Sequence, residues 1–236
     1  EKRDTRILYL QPAAKVSAKT LCVFAEAAGC EGPCLISSGQ LGMTTGQRAA
    51  TKRTILLVLR PQWFEDQLVS EVAKAERRAL KTGIPALFRL NGTSDRDWTA
   101  VIKRCQGSEF YDYTKVLSRV RKNTLPNYHL TFSGSFASQA SKEALKKAVY
   151  RGYTVAVAVN TKALEGDTIG LPEGFADFDA SDLRPLDQAG TIGLLKRKGS
   201  SFATRHQENQ EANSFFVTEA NQEEALSILR ATTKGH

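Results

Sequence analysis

Histidine is scarce in this sequence: the 236 residues include three, and none stands at useful spacing from another candidate ligand. His129 falls in a strand-like run and reads as a satisfied interior residue, while His206 lies in a polar tail and His236 ends the sequence. Long apolar runs are also missing. The longest, Ile55 to Leu59, is cut by Arg60-Pro61 and falls far short of the roughly 20 residues a membrane helix needs. The opening EKRDTRILYL has neither a long apolar core nor a small-residue cleavage site, so it does not read as a secretory signal. The expected setting is the cytoplasm, without membrane contact. The loop LNGTSD lacks the G-x-x-x-x-G-K-S/T pattern of a nucleotide-binding loop, and no G-x-S-x-G, H-E-x-x-H or kinase signature is present. Aromatic residues are not interleaved with basic ones in a single-strand-binding pattern.

Cysteine is sparse too, with four in all, but three of them crowd into CVFAEAAGCEGPC as Cys22, Cys30 and Cys34. In a reducing compartment such a cluster is better read as metal-binding than as disulfides. The spacing is C-x7-C-x3-C. Structural zinc normally shows two close ligand pairs, whereas here one triplet stands with no histidine nearby. Three thiolates suit a [4Fe-4S] cluster with one iron left open, which is the leading reading; zinc is the second, and disulfides or no metal are the others. Gly29, Gly32 and Pro33 let the loop fold back tightly, so its backbone N–H groups can reach the cluster sulfurs. Cys105 reads as a buried or half-buried thiol, with a fourth-ligand role as the lesser alternative.

With 41% hydrophobic and 25% charged residues, the chain has the balance of a globular protein with a full core. One domain is expected: residues 1–199 as a barrel-like unit carrying the cysteine loop 22–34, and residues 200–236 as a polar tail plus a C-terminal strand and helix packed on it. The net charge of +8 raises nucleic acid as a partner. The basic residues are spread out, however, and AERRALK and KEALKKA read as solvated helix faces; LLKRKG is the exception. Arg48, Lys52 and Arg53, in TTGQRAATKRT, are placed on a helix beyond the cysteine loop, where they can offset thiolate charge or meet an anionic ligand.

The most regular signal is an amphipathic helix, a glycine, then an apolar strand. Trp63 to Thr82 shows Phe64, Leu68, Val72, Ala75 and Ala79 near helical spacing, and Gly83 ends it before PALFRLN. Ser94 or Asp95 is placed to cap DWTAVIKRCQ, which precedes EFYDY. A short basic helix over Lys115 to Lys122 leads to YHLTF, and a Ser/Ala segment caps SKEALKKAVYR before Gly152 and YTVAVAVN. With RILYL first and GTIGLLKRKG late, this predicts an α/β fold, a partial TIM-like barrel of about six parallel strands, with an open doubly wound sheet as the alternative. Thr161 to Leu186 reads as a long loop with one turn of helix, and Ser200 to Ser214 as a polar tail before FFV and a final helix, NQEEALSILRA.

In parallel sheets the functional site lies at the carboxyl ends of the strands. Those ends are polar here. They supply Arg89, Asn91, Ser94, Asp95, Asp112, Lys115, Ser133 and Asn160 as a candidate substrate or ligand rim, on the same side as the cysteine loop. Caps and turns are the competing explanation for Ser94, Asp95 and Ser133.

The segments ILYLQPA, CVFAEAAGCEGPCL, FRLNGTSDRDW, EFYDYTK, NYHLTFSGS, VAVAVN, DLRPLD and GLLKRKG, in this order and over about residues 6 to 200, resemble the phage-encoded gene-product-88-like proteins, an uncharacterised family. The resemblance implies a viral protein working in the host cytoplasm, with a small molecule or a host protein as partner. Through its cysteine loop after a first strand, that family is in turn similar to radical S-adenosylmethionine enzymes, which implies a cluster and S-adenosylmethionine as cofactors. Those enzymes carry C-x3-C-x2-C and a glycine-rich strand end; here the loop is longer and Asn91-Gly92-Thr93 stands at that end.

Overall fold

The apolar runs form one sheet of seven parallel strands in the computed structural model, which describes residues 2–12, 20–37, 39–160, 174–198 and 210–231. The strands are β1 (Asp4–Ile7), β2 (Ala86–Arg89), β3 (Phe110–Thr114), β4 (Tyr128–Ser133), β5 (Val155–Val159), β6 (Phe175–Asp177) and β7 (Ile192–Lys196). Their spatial order is β1-β2-β3-β4-β5-β7-β6, curled into a half-barrel with helices between the strands. Repeated right-handed crossovers generate such a sequential order. A doubly wound sheet would reverse direction at a central switch point. The one inversion here lies at the far edge, where β7 sits inside β6.

The helices are α1 (Gly39–Gly42), α2 (Thr44–Leu59), α3 (Pro61–Thr82), α4 (Thr99–Lys103), α5 (Leu117–Lys122), α6 (Gln139–Tyr150) and α7 (Gln222–Leu229). The expected helix over Trp63–Thr82 is α3. Proline at its first turn suits the helical φ and sacrifices no hydrogen bond, and Gly83 closes it at φ 68° with its N–H donating to the Ala79 carbonyl at 2.8 Å. Phe64, Leu68, Val72 and Ala75 are buried, each large one contributing about 1.5–3 kcal/mol by leaving water. They join Phe88, Trp98, Ile102 and Phe110 in a first core cluster, which also holds Cys105. A second cluster gathers Phe132, Leu145, Val155, Val157 and Leu194 with Val217, Ala225, Ile228 and Leu229 from the C-terminal segment. Val217 bridges in parallel to Val159, a single pair rather than a strand.

Several expectations need correction. Ser94 and Asp95 do not cap α4; the Thr99 N–H donates to Asp97 Oδ1 at 2.9 Å instead. The long loop expected over Thr161–Leu186 contains β6 and a 3-10 turn at Arg184–Leu186, while 161–173 lies outside the described residues. Much of the expected tail, 199–209, also lies outside them, as do His206 and His236. The Ser/Ala cap of α6 forms as expected: the Ser141 N–H donates to Ser138 Oγ. Among the described residues no helix is long and apolar enough to cross a membrane.

Candidate functional site

Residues 22–35 lie over the carboxyl ends of the strands. Residues 23–29 wind into turns, with the N–H of Ala28 donating to Phe24 O and that of Gly29 to Glu26 O, both at 2.9 Å. Gly29 ends the coil at φ 62°, and a Cβ there would stand 2.8 Å from Ala137 Cβ. Two carbonyls of this coil are taken up by the segment linking β4 to α6 and by the first turn of α6. Ser135 Oγ donates to Ala28 O at 2.7 Å, and Ser138 and Ser141 donate to Ala27 O at 2.8 and 3.0 Å. The cysteine loop thus straps across the sheet from β1 to β4. Its near end is pinned to the segment after β2: the Asp95 N–H donates to Leu21 O, and Thr93 Oγ1 donates to Leu10 O. Gly92 permits that approach, since a Cβ there would lie 2.6 Å from Ile7 Cγ2.

Under the strap lies a cavity of about 400 Å³ lined by Cys22, Cys30 and Cys34. All three are free and half-buried. Burial pushes the Cys22 thiol up to about 12, with Asp95 and the other two thiols acting in the same direction. Burial also raises Cys30, opposed by the Lys115 ammonium. The Cys22 thiol faces Thr93 O at 3.8 Å, and that of Cys30 faces Ala25 O at 3.6 Å. Among the described residues no three His, Cys, Asp or Glu side chains converge closely enough to hold a metal ion. Cys105 lies in the first core cluster and does not line the cavity.

The opposite wall is made by strand ends. Arg89, Asn91, Ser94, Asp95, Lys115 and Ser133 line the cavity with Tyr113. Asn91 is largely consumed by its own loop: its Oδ1 accepts from Ser94 Oγ, Arg96 N and Trp98 Nε1 at 2.9, 3.0 and 3.1 Å. Asp95 accepts from Thr114 Oγ1, the Lys115 N–H and Arg119 Nη1. Lys115 Nζ donates to Ser133 Oγ at 2.9 Å. Arg89 Nη1 stands 3.5 Å from Asp182 Oδ2, with its guanidinium 4.7 Å from the Tyr113 ring centre.

Two rim candidates stand elsewhere. Asp112 is fully buried behind the wall, where Oδ1 accepts the Asn91 N–H at 2.7 Å and Oδ2 accepts from Tyr128 Oη at 3.0 Å. Burial raises its pKa to about 7 against the pull of the Asn91 N–H, Arg89 and Tyr128. Asn160 is buried, its N–H donating to Val217 O, and does not line the cavity. Arg48, Lys52 and Arg53 are exposed on α2 and also absent from the lining; Lys115 is the cation that acts on the thiols. His129 is half-buried, with Nε2 3.5 Å from Glu109 Oε1.

Sequence reasoning missed the third wall, formed by Phe178, Asp179, Asp182, Arg197, Phe215 and Phe216. The runs KRKG and FFV mark two of these places without showing that they face the cysteines.

A family model described as Gene product 88 matches residues 2–218. No curated protein and no solved structure matches the chain.

Proposed function

We propose that this chain, which belongs to the Gene product 88 family, binds a [4Fe-4S] cluster through Cys22, Cys30 and Cys34 and works as a redox or radical-type iron–sulfur protein. One observation carries the reading: three thiols of one loop face a single cavity at the carboxyl ends of the parallel strands. The thiols influence one another electrostatically, yet they do not meet closely enough for one metal ion. An all-thiol donor set with no histidine beside it matches the sulfur ligation of an iron–sulfur cluster.

When bound, such a cluster supplies an open iron that can polarise a ligand or pass it one electron. The chain's residues do the rest. Buried thiols ionise only beside positive charge, and Lys115 supplies part of it. The serines after β4 fix the loop, and Pro33 and Phe24 lie in the lining. Arg89, Lys115 and Ser133 face the space where a ligand would lie. S-adenosylmethionine as that ligand is an extension of the same proposal.

Anaerobic expression with iron and sulfide should give a brown protein absorbing at about 400 nm, with the colour lost in Cys22→Ala, Cys30→Ala and Cys34→Ala. A colourless protein holding stoichiometric zinc would overturn the proposal in favour of a zinc site. Adding S-adenosylmethionine to the reduced protein tests the extension through a change in its electron paramagnetic resonance signal.

Nucleic-acid binding is the other reading, resting on the net charge of +8. It is weaker because the KRKG segment turns partly inward: Arg197 is buried over the Phe216 ring, and Lys198 pairs with Asp179 at 2.8 Å.

A further inference from the structure

The cavity contains an unbalanced positive charge. Among the described residues Lys115 has no carboxylate within ion-pair distance; its ammonium donates to Ser133 Oγ at 2.9 Å and stands 4.7 Å from the centre of the Phe215 ring. Of the four acids that line the cavity Glu31 is exposed to solvent, and the other three are engaged. Asp95 is bound by Arg119 Nη1 at 2.6 Å and by the backbone N–H of Lys115 rather than its ammonium. Asp182 accepts from Tyr111 Oη and faces Arg89, and Asp179 pairs with Lys198. Arg89 adds a second unmet donor, because its Nε is buried without a hydrogen-bond partner. A half-buried ammonium and a buried guanidinium N–H both lose water without full replacement, a cost that an anion in the cavity would offset.

The rest of the lining decides what the anion is attached to. Phe178, Phe215 and Phe216 give the cavity an apolar wall beside these donors, within about 400 Å³, the size of a small-molecule site. We propose that the cavity binds a small organic anion, with a carboxylate or phosphate on Lys115 and Ser133 and a flat apolar body against the phenylalanines. The proposal deepens the cluster reading by naming the ligand class and rests on it only in taking this cavity as the functional site.

The test uses the full chain prepared without metal. Phenylacetate, phenyl phosphate and the neutral phenylacetamide are titrated by calorimetry. Binding of either anion, with phenylacetamide weaker by about tenfold or more, is expected from a charge-assisted contact. The stronger of the two anions identifies the head group. Lys115→Met should lose that preference and Lys115→Arg should keep it; if Lys115→Met does not fold, Ser133→Ala should show a smaller loss. Binding of the anion by the wild-type chain without metal, and so without a cluster, separates this proposal from the fate of the cluster. Absence of binding, equal binding of the amide, or an unchanged preference in both Lys115→Met and Ser133→Ala would overturn it.

Discussion

Single residues in this protein sort by strand parity. Side chains alternate across a strand, so Tyr113 and Lys115 share one face of β3 and its extension, and both line the cavity. Phe110 lies on the other face in the first core cluster, and Asp112 shares that parity, buried behind the wall. The same rule places Arg89, Ser133, Ala158 and Leu195 at the cavity and Phe88, Phe132, Val157 and Leu194 in the cores. Applied to the run DYTK, it would have separated Asp112 from Lys115. The Asp112 acid, raised to about 7 with Arg89, Asp95 and Tyr128 around it, keeps its proton in the fold where the unfolded chain, near 3.8, releases it. The folded state therefore binds more protons between about pH 4 and 7, and stability falls as pH rises through that window by up to about 1.4 kcal/mol per unit. Denaturant midpoints of the wild type and Asp112→Asn across this range should show the slope reduced in the variant; parallel curves would refute the assignment.

At the scale of elements, legibility followed the strength of the local signal. Helix α3 was readable because four buried side chains recur at helical spacing and Gly83 stops it. Strand β6 was not, since Phe175–Asp177 is three residues long, half-buried and set among Gly and Asp. The strap was half legible: its glycines announced a fold-back, but its anchors are serines of a distant segment that read locally as a helix cap. Ser135→Ala combined with Ser138→Ala should cost about 1–3 kcal/mol, because the Ala28 carbonyl loses its hydroxyl donor, the Ala27 carbonyl keeps only Ser141, and α6 loses its cap. The specific signature would be faster proteolysis between residues 22 and 34 and lower iron uptake. Unchanged cleavage in the double variant would show that these hydroxyls do not hold the strap.

As a whole the molecule is two packed halves sharing one sheet. The first cluster joins α3 and α4 to β2 and β3, the second joins α6 and α7 to β4, β5 and β7. The half-barrel was legible from the alternation of strand and helix, whereas the third cavity wall depends on pairings between distant segments that no local pattern encodes. Lys142, nearly buried on α6, pairs with Glu224 on α7 at 2.7 Å. Glu224→Ala should cost about 1–2 kcal/mol by leaving that ammonium without its partner, read as a lower denaturant midpoint, and Lys142→Met with Glu224→Ala should recover part of it. The strap has a further consequence, in time. Its cysteines come early relative to its anchors: the hydroxyls that hold the strap belong to residues 107 to 114 positions downstream of the carbonyls they bind. Contacts of such long separation form late, after the loop closure they require. The strap therefore closes over the cavity only once β4 and α6 exist, and a cluster bound by these thiols would be installed after those elements have formed.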